Sequence, residues 1–195
     1  SSLTKYAVRV DSPEELLPEL HKALSVAQSG RQGPVLLDIP NDIQRAEIPD
    51  ALVEKWLNAP LEIHSGPEVT TTSLKELEAL CKDAQRPLIC IGGGARWADS
   101  MDEWLLAAET QGIPYVSTLM GHERVIARNN YFNMIGSYGN REANWAVQNC
   151  DLLIVVGARL DIRQTGSDVN DFARKARIVQ IDIDPAQLGN RVQAE

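Results

Sequence analysis

The chain has 195 residues, of which 44% are apolar and 24% are charged. These values are typical of a soluble globular protein and exclude disorder as the default state. No apolar run approaches the roughly 20 residues needed to span a bilayer, and the first residues lack the apolar stretch of a signal peptide. The net charge of −8 argues against a nucleic-acid partner and against an anionic membrane surface.

Neither the cysteines nor the histidines are spaced as metal ligands or as a disulfide framework. Cys81, Cys90 and Cys150 are odd in number and contain no C-x-x-C pair, which indicates a reducing compartment. The three histidines are widely scattered, so no zinc-type spacing arises. We therefore expect a cytoplasmic protein without a metal site in this chain.

The first forty residues predict one helix and one strand. Ser12-Pro13-Glu14-Glu15 has the pattern of a capping box with proline at the first helical position. A stripe of leucines then continues the helix as far as Ser29-Gly30. Residues 35–39 predict a short buried strand that ends at Pro40. Because one helix and one strand do not make a domain, we expect the edges of this strand to be unpaired, or to pair with another copy of the chain.

Residues 46–70 are typical of a linker, since prolines punctuate them and they show little periodicity. From residue 71 onward, helices and strands alternate, and Ser73-Leu74-Lys75-Glu76 predicts the start of the first helix. The later predicted elements are strands at 88–91, 114–117, 152–156 and 178–181 and helices at 100–111, 142–149 and 171–175. Apolar strands between amphipathic helices predict an α/β fold, a parallel sheet with helices on both faces.

Ligands of an open parallel sheet bind beyond the carboxyl ends of its strands, and this sequence places its unusual residues there. Gly92-Gly93-Gly94 follows the strand at 88–91. Its N–H groups would face a pyrophosphate at a helix start, or the triplet is only a tight strand-to-helix turn. It is not the full dinucleotide fingerprint, because Trp97 stands where the last glycine would be, and no acidic residue ends the next strand.

Charged residues follow the last two predicted strands. Arg159, Asp161 and Arg163 alternate along what we predict to be one extended loop. Two guanidinium groups on one side would hold a diphosphate, and the alternative is a surface salt-bridge network. Asp182 would accept a hydrogen bond from an adenine or a ribose, or Asp184 and its neighbours only cap the last helical turn.

The sequence brings no nucleophile and base together. Ser117 and Thr118 have no histidine directly beside them in the sequence, and Cys90 lies inside an apolar strand, so no catalytic thiol is expected. His122 is interpreted as a loop residue. Tyr138 lies between two glycines and would stack on a flat ring or pack against Trp145.

Several segments, in order, resemble thiamine-diphosphate enzymes. Residues 33–44, with Asp38-Ile39-Pro40-Asn41, resemble the segment that closes the pyrimidine-binding domain of that family. Three later segments are similar to the central domain of acetohydroxyacid (acetolactate) synthases. They are 112–121, with Gly112-Ile113-Pro114, 151–166, with Gly157-Ala158-Arg159, and 176–184, with Ile181-Asp182-Ile183-Asp184. The resemblance covers nearly the whole chain.

The resemblance implies three segments: residues 1–45 as the tail of the pyrimidine-binding domain, 46–70 as a linker, and 71–195 as a Rossmann-like central domain of the DHS-like NAD/FAD-binding type. The activity implied for the whole enzyme is decarboxylation of a 2-oxo acid and transfer of the acyl carbanion to an acceptor. The family's glutamate that activates thiamine diphosphate lies upstream of the matching segment, and its Gly-Asp-Gly magnesium motif lies downstream. The resemblance therefore implies that thiamine diphosphate and Mg²⁺ bind outside this chain, that this chain alone is inactive, and that the enzyme is a homodimer or homotetramer.

In the synthases the central domain holds FAD, largely as a structural cofactor. The positions that match its binding residues are Gly92, Gly93, Gly94, Thr118, Leu119, Met120, Gly136, Gly157, Arg159, Asp161, Arg163, Asp182 and Ile183. The synthase loop Gly-Met-His-Gly is replaced here by Gly136-Ser137-Tyr138-Gly139, and the linker arginine that contacts FAD has no clear match. Two alternatives remain: a stand-alone nucleotide-binding module, and a purely structural or oligomerisation domain with no ligand.

Overall fold

The computed structural model describes residues 3–125 and 129–194. The chain divides into two compact units, unit one (residues 1–68) and unit two (residues 69–195). Across the part of the chain that the structure describes, no helix is long and apolar enough to cross a membrane.

Unit one is built on a β–α–β element. Strand β1 (Tyr6–Arg9), helix α1 (Pro13–Gln28) and strand β2 (Val35–Asp38) follow one another, and the two strands pair in parallel. The sequence did not predict β1, and the expectation that the strand at 35–39 has no partner is wrong. The expectation of a buried strand is also wrong, since half-buried and exposed residues alternate along β2 and Leu36 is 52% exposed. A two-stranded sheet offers too little surface to bury both faces of either strand.

The stretch expected to be a linker is ordered in unit one. Helix α2 (Asn41–Arg45) precedes it, and helix α3 (Asp50–Leu57), which the sequence did not predict, lies within it. The following residues are fixed to α1 by polar side chains. Ser25 Oγ accepts from the Glu62 N–H at 3.1 Å, and Ser29 Oγ accepts from the His64 N–H at 3.0 Å. Because these contacts are made by polar side chains, they produce no periodic pattern of apolar residues. The sequence of this stretch therefore predicted only a linker.

Unit two contains the predicted parallel sheet. Its strands are β3 (Pro87–Ile91), β4 (Tyr115–Ser117), β5 (Tyr131–Met134), β6 (Leu152–Val156) and β7 (Arg177–Ile181). All neighbouring pairs are parallel, in the order β5-β4-β3-β6-β7. Four of these strands were predicted. The edge strand β5 was not, because its residues show neither an apolar run nor a clean alternation.

Helices cover both faces of this sheet, as the sequence predicted. They are α4 (Thr71–Asp83) and α5 (Met101–Thr110) on one face and α6 (Arg141–Asn149) on the other. A short helix, α7 (Ile162–Thr165), follows β6. Alternate residues of the strands enter two cores. Leu88 and Cys90 of β3 pack with the inner side of α6, whereas Ile89 and Ile91 pack with α4 and α5. Burial on both faces explains why these strands are continuous apolar runs.

Two local predictions in unit two are wrong. Helix α4 begins one turn before the predicted capping box, because the Thr70 side chain accepts from the Ser73 N–H and forms the N-cap. The helix predicted at 171–175 is a 3₁₀ turn at Val169–Asp171. The chain leaves the helical region at Phe172, whose ψ is 124°. Ala173 follows with a φ of +48°, and a left-handed residue cannot continue a right-handed helix.

Asp151 ties the entrance of β6 to the entrance of β3. Its two carboxylate oxygens accept from the N–H groups of Gln85 and Arg86, each at 2.9 Å. Partial burial raises the pKa of this carboxyl, but the N–H groups of Arg86 and Gln85 outweigh it and hold the pKa below its ordinary value.

We expect Asp151→Asn to destabilise the protein by about 1–2 kcal/mol at pH 7. The asparagine amide has a single, uncharged acceptor oxygen, whereas the two N–H donors each bond to a separate carboxylate oxygen in the wild type. Because the pKa of Asp151 is lower in the folded state than the unfolded value of about 3.9, its carboxylate stabilises the folded protein at pH values above about 3.9. This stabilisation is lost as the pH falls through the folded-state pKa. Urea denaturation at pH 7 and pH 3 should therefore show a smaller acid loss in the variant than in the wild type. The matched control is Glu76→Gln, at an exposed position of α4; equal acid losses in Asp151→Asn and the wild type would contradict the account.

Candidate functional site

The carboxyl edge of the five-stranded sheet carries the predicted site residues. The chain runs from β3 outward through β4 to β5, and then returns to place β6 and β7 on the other side of β3. The strand order therefore reverses between β3 and β6, which is where open α/β sheets bind their ligands. The loops after β3 and β6 meet at this point, where the Gly94 N–H donates to the Gly157 carbonyl oxygen at 2.9 Å.

This crossing leaves no room for side chains. A Cβ on Gly157, whose φ is +62°, would lie 2.8 Å from the carbonyl carbon of Gly94 and closer still to the nitrogen of Ala95. A Cβ on Gly92 would overlap the Gly157 oxygen and the Ala158 Cβ. The Gly92 N–H also donates to the Val156 oxygen at 2.8 Å. Two of the three N–H groups in the triplet therefore already have backbone acceptors, as a tight strand-to-helix turn requires.

The loop after β4 lies beside the glycine triplet. A Cβ on Gly93 would come within 2.7 Å of the Met120 Cβ. Thr118 is buried, whereas Leu119 and Met120 are 53% and 56% exposed. The loop therefore presents two apolar side chains at the carboxyl edge, next to the switch point.

The loop after β5 reaches α7, which follows β6. The Ser137 N–H donates to the Arg163 carbonyl oxygen at 2.8 Å, and the Gly136 backbone packs closely against the same carbonyl group. Asn144 holds this loop in place, accepting from the Gly136 N–H at 2.8 Å and donating to the Gly136 oxygen at 3.1 Å. Tyr138 is 70% exposed. The structure thus brings Gly136 and Arg163 together, although they are far apart in the sequence.

The segment with Arg159, Asp161 and Arg163 is not one extended loop. Asp161 is the N-cap of α7 and forms a capping box with Gln164, and Arg163 lies in the helix. One Asp161 oxygen accepts from the Arg163 N–H at 2.8 Å, and the other accepts from Arg159 Nη2 at 3.3 Å. Both arginine side chains reach solvent. The carboxyl edge therefore has two exposed guanidinium groups on either side of the Asp161 carboxylate, which is already hydrogen-bonded.

The loop after β7 completes the edge. Asp182 is half-buried, its Oδ1 accepts from the Asp184 N–H at 3.0 Å, and Ile183 is 45% exposed. Asp184 caps the 3₁₀ turn at Pro185–Gln187 by accepting from the Ala186 N–H at 3.1 Å, so the capping interpretation of this residue is confirmed.

Sequence reasoning missed a polar chain beside the edge. The Tyr131 hydroxyl lies 2.6 Å from Ser117 Oγ and 2.6 Å from His122 Nδ1. Burial raises the pKa of Tyr131, while the Ser117 hydrogen bond acts in the opposite direction. The serine and the histidine thus share one phenol, and no sequence signal could have shown this, because Tyr131 belongs to the unpredicted strand β5.

Cys90 is fully buried in β3. Burial, with a smaller contribution from Cys150, raises the pKa of its thiol to about 12, so the reactive thiolate is absent at neutral pH. Within residues 3–125 and 129–194, no three His, Cys, Asp or Glu side chains are grouped so that they could hold a metal ion.

The strand order, the switch point and the glycine-lined carboxyl edge define unit two as a Rossmann-like α/β unit. Residues 74–195 match the family model described as "Thiamine pyrophosphate enzyme, central domain". The chain therefore belongs to the thiamine pyrophosphate enzyme family and contains its central domain.

Individual relatives agree with this assignment. The chain is 40% identical over 195 residues to the "Acetolactate synthase isozyme 2 large subunit" of Escherichia coli K12, covering 98% of this chain and 34% of the relative. It is 35% identical over 202 residues to the "Probable acetolactate synthase large subunit" of Methanocaldococcus jannaschii, covering 99% and 33%. It is 38% identical over 197 residues to "Acetolactate synthase 1, chloroplastic" of Oryza sativa, covering 98% and 30%. The chain spans about a third of the length of these relatives.

Proposed function

We propose that this chain is the central part of a thiamine-diphosphate-dependent carboligase of the acetolactate synthase type. The observation that carries the proposal is similarity along 98–99% of the chain to proteins named acetolactate synthases. In the proposed reaction, the bond between the carboxylate and the carbonyl carbon of a 2-oxo acid breaks and CO₂ leaves. The electron pair left on that carbon forms a bond to an acceptor carbonyl carbon, whose oxygen takes up a proton. Thiamine diphosphate, bound with Mg²⁺ outside this chain, would supply the electron sink for this chemistry.

This chain would contribute a groove for FAD at its carboxyl edge. The exposed guanidinium groups of Arg159 and Arg163 would hold the diphosphate, because each matches phosphate oxygens with a fork of donors. The N–H groups of Gly92 and Gly94 already have acceptors, so the arginines would provide most of the binding. Their local charge matters more in a chain of net charge −8, which repels an anion.

Neighbouring residues fit the other parts of such a ligand. The exposed apolar side chains of Leu119, Met120 and Ile183 would face flat rings, and the half-buried Asp182 would accept from an adenine or a ribose. Gly93, Thr118, Gly136, Gly157 and Asp161 would shape the loops rather than bind directly. We propose a largely structural role for FAD, in keeping with the resemblance.

Arg159→Ala should weaken FAD binding about tenfold or more, because a charge-assisted contact contributes roughly 1.5–3 kcal/mol. The measurement is quenching of FAD fluorescence on titration with the wild-type and variant chains. The matched control is Arg174→Ala, an exposed arginine that precedes β7 and so lies away from its carboxyl end. An unchanged affinity in Arg159→Ala would remove Arg159 from the site.

The second candidate is a purely structural central domain that binds no flavin. It is favoured by one observation: Gly92, Gly94, Asp161 and Asp184 all have hydrogen-bonding roles within the fold. If wild-type protein leaves FAD fluorescence unquenched, this candidate replaces the FAD groove while the family assignment stands.

We propose further that the whole enzyme is cytoplasmic and assembles as a homodimer or homotetramer. The 195-residue chain alone would be inactive, because the family's activating glutamate and magnesium motif lie in segments outside the matching region.

A further inference from the structure

The two arginines of the proposed diphosphate site lie in and just before α7, a helix of only four residues. A single helical turn is not stable by itself in water, so contacts from elsewhere have to fix it. Its N-cap Asp161 orients the first of the two arginines, because one carboxylate oxygen accepts from Arg159 Nη2 at 3.3 Å while the other accepts from the Arg163 N–H. The direction of the Arg159 guanidinium therefore depends on what holds Asp161 in place.

Arg191, in the segment after β7, holds the far end of α7. Its Nη2 donates to the Gly166 carbonyl oxygen at 2.7 Å, and its Nε donates to Thr165 Oγ1 at 2.9 Å. A cationic donor at this end of a helix satisfies carbonyl groups that have no partner within the helix. Thr165 Oγ1 in turn donates to the Asp161 carbonyl oxygen at 3.1 Å and, in a shared hydrogen bond, to that of Gly166 at 3.2 Å. Arg191 is thus connected through one threonine to the residue that orients Arg159.

The beginning of the same segment is fixed as well. The buried Gln180 of β7 donates to the Ala158 carbonyl oxygen at 3.0 Å and accepts from the Gly189 N–H at 3.0 Å, so it joins the segments that follow β6 and β7. Leu160 is fully buried although its φ is +52°. A left-handed leucine is retained only where the surrounding structure imposes it. Loss of a contact at either end would let this segment relax, and Arg159 would move with it.

Arg191 is itself held by its neighbour in the chain. Val192 is buried and packs in the core that also contains Leu160, and the Arg191 side chain is half-buried. The guanidinium therefore lies in a fixed place against α7 and is engaged by acceptors of the fold.

We propose that Arg191 is a positioning residue for the diphosphate site, acting through Thr165 and Asp161 on Arg159. The inference rests on the proposed FAD groove. Arg191 keeps the Arg159 guanidinium directed at the ligand before the ligand arrives. Binding then avoids the entropy cost of ordering the segment, which a loose segment would impose on the affinity.

A double-mutant cycle on FAD affinity tests the proposal, measured by fluorescence quenching with the full-length polypeptide that contains this chain. Arg191→Ala should weaken FAD binding about three- to tenfold, because the ligand must then order the segment itself. When Arg159 is already alanine, the same substitution should weaken binding by less than about twofold, since residues that act through one another are not additive. Equal weakening in both backgrounds would overturn the proposal, because a general loss of folded protein, or a direct contact of Arg191 with FAD, does not depend on Arg159.

Thr165→Val is a second variant that leaves the charge of Arg191 in place. It removes the hydroxyl that connects Arg191 with Asp161 and should weaken FAD binding about threefold or more. If Thr165→Val bound FAD like the wild type while Arg191→Ala did not, Arg191 would act by its own charge and the positioning role would be wrong. The matched control is Arg174→Ala, which removes one exposed positive charge before β7 and should leave the affinity unchanged.

The outcomes separate this inference from the FAD groove on which it rests. Denaturation midpoints identify any variant that fails to fold. A wild-type protein that leaves FAD fluorescence unquenched would contradict the groove and this inference together. A wild type that binds FAD no more tightly than Arg191→Ala would overturn only the positioning role of Arg191 and leave the groove in place.

Discussion

Gly157→Ala should destabilise the protein by about 3 kcal/mol or more. Its φ of +62° is a left-handed conformation, which costs a residue with a Cβ roughly 1–2 kcal/mol. The added Cβ would also lie 2.8 Å from the carbonyl carbon of Gly94 and still closer to the Ala95 nitrogen. These are backbone atoms that cannot rotate away, so the clash adds an overpacking cost of roughly 1–3 kcal/mol. Urea denaturation followed by circular dichroism measures the sum.

Gly112→Ala is the matched control for this prediction. Gly112 has a φ of +70°, but a Cβ there would have no atom within 4 Å. The control variant therefore has the unfavourable backbone conformation without the steric clash. We expect its free energy of unfolding to fall by only about 1–2 kcal/mol. Equal losses in the two variants would contradict the conclusion that the loops after β3 and β6 are held in contact.

Leu153→Ala should destabilise the protein by about 2–5 kcal/mol. Leu153 is fully buried in β6, which lies between β3 and β7, and it packs in the core shared with α6. Truncation would leave a cavity in the middle of the sheet that neighbouring strands, fixed by their hydrogen bonds, cannot close. The free energy of unfolding would be obtained from the midpoint and the slope of the denaturant-unfolding curve.

The control for Leu153→Ala is Leu106→Ala, because that leucine is 60% exposed and its truncation should change stability by no more than about 0.5 kcal/mol. If both variants showed the same small decrease in the free energy of unfolding, the conclusion that β6 lies at the centre of the core would be wrong.

The main elements of unit two could be predicted because buried strands and helices have recognisable patterns of apolar residues. Strands β3 and β6 are covered on both faces and therefore consist of continuous apolar residues. The missed strands β1 and β5 and the missed helix α3 are short, at four, four and eight residues, so each repeats its pattern too few times for the pattern to stand out in the sequence. The helix predicted at 171–175 failed because propensity does not show the positive φ at Ala173.

The position of the candidate residues at the carboxyl edge of the sheet could also be predicted, but not the contacts between them. Parallel strands fix the edge at which their following loops gather, so the glycine triplet and Arg159 could be placed at the same edge of the sheet from the sequence, although not side by side. The contact of Gly94 with Gly157 and that of Gly136 with Arg163 join loops from different strands. The phenol shared by Ser117 and His122 depends on β5. Such contacts follow from how the loops cross above the sheet, which no local pattern in the sequence records.

The most direct test of the proposed function is an assay of carboligation by the full-length polypeptide that contains this chain. The protein would be incubated with a 2-oxo acid in the presence and absence of thiamine diphosphate and Mg²⁺, and both CO₂ release and formation of the acetohydroxy acid would be measured. We predict that both products form only when thiamine diphosphate is present. A folded protein that forms neither product, or that forms them equally without thiamine diphosphate, would contradict the proposed function.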